Sequence, residues 1–171
     1  MTELVRLYAQ IALLRRGPQD VPAATLVLFA TVAGYFVINF AASTALPPID
    51  QWLGRLVVDV VFMLAWYAIL LRLAGKPERF MQTTSAVFGF QAVLAPLLVA
   101  TGWLMRRYQQ DASWQFPLTM LGVALVVWII AANSQVLKAA LEWPMVTCIA
   151  VVVLQIIAGE LLLHSLFPSP R

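Results

Sequence analysis

Five apolar stretches, each close to the length needed to cross a bilayer, occupy most of this 171-residue chain and constrain its fold more than any other feature. They run Ala23–Ala45, Leu56–Ala74, Thr84–Leu104, Phe116–Leu137 and Pro144–Phe167. A hydrocarbon core about 30 Å thick takes about 20 helical residues to span. Inside it there is no water to satisfy the backbone, and a helix closes its own hydrogen bonds within one segment. Each stretch carries at most one carboxylate. The expected fold is therefore all-α: a five-helix transmembrane bundle over residues 23–167. An amphipathic segment, 1–22, precedes it and a short tail, 168–171, follows.

Hydrophobic residues make up 62% of the chain and charged residues 11%, against about 45–50% and about 25% in soluble domains. That excess excludes a soluble domain of any size. The net charge of +3 forms no basic stripe interleaved with aromatics, so nucleic acid is not an expected partner. The lone Cys148 lies inside the fifth stretch, where it has no disulfide mate and no metal-ligand spacing. No cofactor is implied. The chain also lacks a nucleophile elbow, a Gly-rich phosphate loop and an HExxH motif, so catalysis is not expected. About twenty residues carrying Glu3, Arg6, Arg15 and Arg16 precede a span of full length. That is not the layout of a cleavable signal, and the first helix is expected to be retained.

Residues 3–16 read as a short amphipathic helix, with Leu4, Leu7, Ile11 and Leu14 on one stripe. Gly17-Pro18 is its expected stop. With Arg15 and Arg16 at its end, such a helix belongs in the headgroup region or against a partner. Lys and Arg in the short loops orient the spans. With the N-terminus inside, Arg6, Arg15, Arg16, Arg72, Lys76, Arg79 and Lys138 lie inside, against Arg55, Arg106, Arg107 and Arg171 outside. The expectation is a cytoplasmic N-terminus and a periplasmic C-terminus, with Trp52, Trp103, Trp114 and Trp143 as interfacial anchors. Short connections imply that consecutive helices pack as antiparallel neighbours, and Pro96 is expected to kink the third span.

Polar residues at membrane depth carry the functional information. Counted along the helices, Asn39, Asp59, Glu160 and His164 gather in the outer half of the membrane. Glu160 and His164 share a helix face, as do Arg55 and Asp59. Asp59, Glu160 and His164, with Asn39 nearby, form a candidate proton or cation site, since histidine titrates near neutrality. Gln91, Asn133, Ser134 and Gln135 fall toward the inner side, with Gln155 nearer the middle, and read as hydrogen-bonding glue between helices.

The loop Leu73-Ala74-Gly75-Lys76-Pro77-Glu78-Arg79-Phe80-Met81-Gln82-Thr83-Thr84, leading into Ser85-Ala86-Val87-Phe88-Gly89-Phe90, resembles the segment between the second and third helices of bacterial members of the Yip1-like family. The five-span layout and the amphipathic N-terminal segment are similar too. The resemblance implies a non-enzymatic protein of the bacterial inner membrane that binds other membrane proteins or lipids, and it implies no catalytic residues. The expected function is therefore that of an accessory or scaffold subunit, paired with another membrane protein or a second copy of itself. Arg15, Arg16, Arg72, Lys76 and Arg79 would meet acidic headgroups or a partner. The rival expectation is a small transporter, or a subunit of a channel or lipid-moving assembly, built on the intramembrane site.

Overall fold

A computed structural model describes residues 2–45 and 51–168. Arg171, counted above among the outer charges, and the tail 169–171 lie outside the described residues. Six helices follow one another: α1 (Thr2–Ala12), α2 (Thr25–Ala45), α3 (Trp52–Leu73), α4 (Phe80–Arg107), α5 (Ala112–Leu141) and α6 (Met145–Leu166), with single 3-10 turns at Pro18–Asp20 and Pro77–Arg79. Helices α2 to α6 are each long and apolar enough to cross a membrane. The five-helix bundle with an amphipathic N-terminal helix is thus the architecture of the chain.

Two helices are longer than the apolar stretches that announce them. α4 has 28 residues and α5 has 30, about 42 and 45 Å at 1.5 Å per residue. Hydropathy stops at Gln82-Thr83 and at Arg106-Arg107, but helical hydrogen bonding continues past the hydrocarbon. At the start of α5, Asp111 accepts a hydrogen bond from the Ser113 backbone at 3.0 Å, an N-cap. Tyr108 stacks on Trp114 across the α4–α5 turn, ring centroids 5.2 Å apart. α4 runs unbroken through Pro96, which faces outward.

The sequence stop for α1 is placed too late. The helix ends at Ala12, because Leu14 turns left-handed (φ 60°). Leu14 N–H then bonds Ile11 O at 2.9 Å and Arg15 N–H bonds Gln10 O at 2.9 Å, the two closing bonds of a Schellman motif. Gly75 (φ 69°) closes α3 in the same way.

α4 occupies the centre. Every residue from Thr83 to Phe90 is buried, enclosed by α1, α2 and α5. The expected neighbour order is corrected here: α2 lies chiefly along α4, its parallel neighbour two spans on, and only lightly against α3. Small residues in this stretch, Ser85, Ala86 and Gly89, suit close helix packing, and Gly89 lies under the Tyr8 ring of α1. α1 is wedged by one face against the bundle, with Glu3, Val5 and Arg6 exposed on the other. Tyr8 hydroxyl hydrogen-bonds Thr31 Oγ1 at 2.7 Å, Trp128 Nε1 donates to Ala12 O at 2.8 Å, and Ile11 is buried. Burial in this contact pushes the Tyr8 phenol above its ordinary range, with the Thr31 hydrogen bond opposing.

The ring of Tyr8 lies where a Cβ on Gly89 would stand. Gly89→Ala is expected to destabilise the protein by about 1–3 kcal/mol through overpacking. The measurement is thermal unfolding in detergent together with protease cleavage of residues 2–16. Unchanged melting with α1 still protected would refute the wedge.

Candidate functional site

α3 and α6 converge on a cleft of about 180 Å³ at membrane depth. Its polar lining is Tyr35 from α2, Asp59 from α3, Gln91 from α4, Asn133 from α5, and Gln155 and Glu160 from α6. Apolar side chains, Phe62 and Ile156 among them, complete the walls. At 1.5 Å per residue, Asn133 sits about 12 Å from the Leu141 end of α5 and Gln155 about 15 Å from the Met145 end of α6. By the same measure Asp59 is about 21 Å from the Leu73 end of α3, and Glu160 about 22 Å along α6. The polar groups form a ladder that climbs from the amides near mid-helix to the two carboxylates in the outer half of the spans. The sequence reading separated them into an outer carboxylate set and an inner amide set, and the structure joins them.

Tyr35 hydroxyl donates to Asp59 Oδ2 at 3.1 Å. Tyr67, fully buried, donates to Asn133 Oδ1 at 3.4 Å. Arg55 does not partner Asp59, although the two are one turn apart. It donates to Phe167 O at 2.8 Å instead, and its guanidinium lies 5.6 Å from the Phe167 ring centroid. A carbonyl on the neighbouring helix end, backed by an aromatic face, outcompetes a side chain whose oxygen already holds Tyr35. Among the described residues neither Asp59 nor Glu160 is in an ion pair. His164 and Asn39 stand outside the cleft lining. His164 is exposed one turn further along α6, and Asn39 Nδ2 closes a local bond to Tyr35 O at 2.8 Å. Among the described residues no three His, Cys, Asp or Glu side chains assemble as a metal site.

The basic loop has a different fate from its neighbours. Arg15, Arg16 and Arg72 are exposed. Lys76 and Arg79 are instead fastened to the far end of α5. Lys76 Nζ lies 2.7 Å from Glu142 Oε2 and Arg79 Nη2 lies 2.8 Å from Glu142 Oε1. Lys76 also donates to Leu141 O at 3.3 Å, and Arg79 Nη1 donates to Ala139 O and Ala140 O at 3.2 and 2.9 Å. Cations on the last carbonyls suit the negative end of the helix dipole. Glu142 itself is left-handed (φ 61°), a conformation disfavoured for a side-chain-bearing residue, and the two cations fix it. Sequence reading missed Glu142. The available signal was its loop: it lies on the same side of the bundle as Lys76 and Arg79.

Hydrogen bonds from Lys76 and Arg79, with the field of both cations, hold the Glu142 carboxyl below its ordinary value of 4.5. A lowered folded value means the ion pairs stabilise the protein fully above the ordinary range, and that contribution is lost as pH falls through the lowered value. Melting temperature should therefore drop on acidification below about pH 4.5, and Glu142→Gln should flatten that part of the profile. An identical profile in the variant would remove Glu142 from the fold's ionic framework.

No family model matches this chain, and no curated protein or solved structure does either. The class is set by the fold alone: a five-helix membrane protein.

Proposed function

We propose that this chain is a small transport-class protein of a bacterial inner membrane that takes up a proton or small cation in the α3–α6 cleft. One observation carries the reading: Asp59 and Glu160, neither ion-paired, share a polar-lined cleft at membrane depth. Charged side chains within spanning helices are costly and mark ion and proton pathways; Asp59 is half-buried and Glu160 exposed on the facing helix. Tyr35 engages one oxygen of Asp59, leaving the other to bind a proton or cation. The amides of Gln91, Asn133 and Gln155 supply neutral ligands along the same wall. The excess of Lys and Arg on the α1 side supports a cytoplasmic N-terminus and periplasmic C-terminus.

A second reading is an accessory or scaffold subunit that binds another membrane protein, a second copy of the chain, or lipid. It is favoured by the outward face of α2, where Leu26, Phe29 and Val37 are exposed and open to a neighbour. The Yip1-like resemblance of the 73–90 segment belongs with this second reading.

A hydrophobic carbodiimide enters the apolar phase, where a protonated carboxyl group adds across its C=N bond to form an O-acylisourea. It is expected to label Asp59 faster in mildly acidic than in alkaline buffer, with added monovalent cation slowing the reaction. In proteoliposomes Asp59→Asn should cut potential-driven proton or cation uptake at least about tenfold, the scale of one lost charged contact. Flux equal to that of wild type in both Asp59→Asn and Glu160→Gln would eliminate the site. For orientation, Gln19→Cys should be shielded from an impermeant maleimide in right-side-out vesicles while Ser113→Cys reacts, and the reverse pattern would invert the topology.

A further inference from the structure

The cleft between α3 and α6, about 180 Å³, is larger than a proton or a bare metal ion needs. We propose that its cation is a small organic amine: a primary ammonium on a short carbon chain that ends in a hydroxyl or similar neutral polar group. This rests on the reading of the cleft as a cation site and names the chemical class of the cation.

A cavity of about 150 Å³ takes a benzene ring, so a cleft of about 180 Å³ takes an organic molecule of about six heavy atoms. The polar lining is spread to match. Counted at 1.5 Å per residue, Asn133 and Gln91 lie about 12 and 16 Å from the inner ends of their helices, and Asp59 and Glu160 about 21 and 22 Å. Oxygen ligands hold a metal cation at about 2.0–2.6 Å, so one ion does not touch the amides and the carboxylates together. Four carbons between two heteroatoms span about 6 Å and reach from one group to the other.

The charge of the lining selects the charge of the ligand. Asp59 and Glu160 line the cleft, and no Lys, Arg or His does. Tyr35 takes one oxygen of Asp59. The other oxygen, and both of Glu160, accept no hydrogen bond among the described residues. A primary ammonium brings three donors to them. The inner end is polar but neutral. Gln91 makes no side-chain hydrogen bond among the described residues, and Asn133, whose Oδ1 accepts from Tyr67, keeps its NH2 group. These amides suit a hydroxyl, which both donates and accepts. A ligand carboxylate placed there would meet no cation and would lie buried without compensation, which excludes an amino acid. Met63, Val152 and Ile156 give the carbon chain apolar walls.

The test is titration calorimetry on the full chain in detergent at constant ionic strength, with 4-aminobutan-1-ol as the probe. Butane-1,4-diol removes its charge, 4-aminobutanoate adds a carboxylate, butylamine removes the hydroxyl, and sodium and potassium chloride supply inorganic cations. The amino alcohol should bind at least about tenfold more tightly than the diol, the amino acid or either metal ion, the scale of a lost charged contact. It should bind several-fold more tightly than butylamine. Asp59→Asn should weaken its binding about tenfold. Gln91→Met removes the amide at similar volume and should abolish the preference over butylamine while both amines still bind, a change that general loosening of the site does not produce. Equal binding of the diol, of sodium or of potassium overturns the proposal, as does an unchanged preference in Gln91→Met. Proton uptake that depends on Asp59 without any amine binding overturns this inference alone and leaves the cation reading standing. If neither amine, metal ion nor proton depends on Asp59, the cation reading falls and this inference with it.

Discussion

The enclosure of α4 between Thr83 and Phe90 is the constraint on which the other elements depend. A helix in a bilayer ordinarily keeps one side against lipid, and lipid tails are no worse a solvent for Leu or Val than another helix is. Association has to come from close packing and hydrogen bonds instead. The α4 segment supplies close packing through small residues, above all Gly89, where Tyr8 of α1 comes near the backbone. It supplies anchoring bulk through Phe88 and Phe90, both fully buried. Phe88 receives Tyr35 edge-on, centroids 5.2 Å apart, and Tyr35 is also the residue that holds Asp59. The core contact that positions α2 thus positions one wall of the cleft.

The ionic corner at Glu142 complements that apolar centre. Exposed ion pairs are individually weak, with a median near zero to 1 kcal/mol. Here one carboxylate takes two cations, and those cations also cap the carbonyls that end α5. The result is specific geometry more than energy: the 76–79 turn and the α5–α6 corner are held in one register. That register brings the positive end of α4 opposite the negative end of α5, with a cavity of about 510 Å³ between them. Lys76 and Arg79 therefore serve the fold first, while Arg72, Arg15 and Arg16 stay exposed to water or headgroups.

Much of this was legible in the sequence because bilayer physics acts on single segments. Length and hydropathy identify a span without any knowledge of its neighbours, so all five apolar stretches became helices. The depth of Asp59 or Gln155 can likewise be counted along a helix. Which face they present cannot, because that depends on which helices lie alongside, and α2 beside α4 was not the neighbour that short loops suggest. For the same reason Arg55 looked like a partner for Asp59, yet it bonds a carbonyl 112 residues away. Leu14 misled differently. Its spacing fits the apolar stripe, but its backbone is spent on the left-handed turn that ends α1. Glu142 drew no notice because its significance comes entirely from cations in another loop.

The cleft lies beside one of the lighter seams in the bundle; α3 touches α2 still less. α3 and α6 touch through Gly159 against Phe62 and Gly54 against Phe167, where an added Cβ would stand 3.2 Å from either ring. Arg55 closes the outer end by its bond to Phe167 O and its position over that ring. These are aromatic and single hydrogen-bond contacts, far fewer than those enclosing α4. Passage of a solute past Asp59 and Glu160 requires something to part, and the α4 core is the costliest place for that to happen. On the transport reading proposed above, parting α3 from α6 would leave the contacts of α1, α2 and α5 with α4 unbroken, which sets the yielding contact away from the most densely packed part of the bundle.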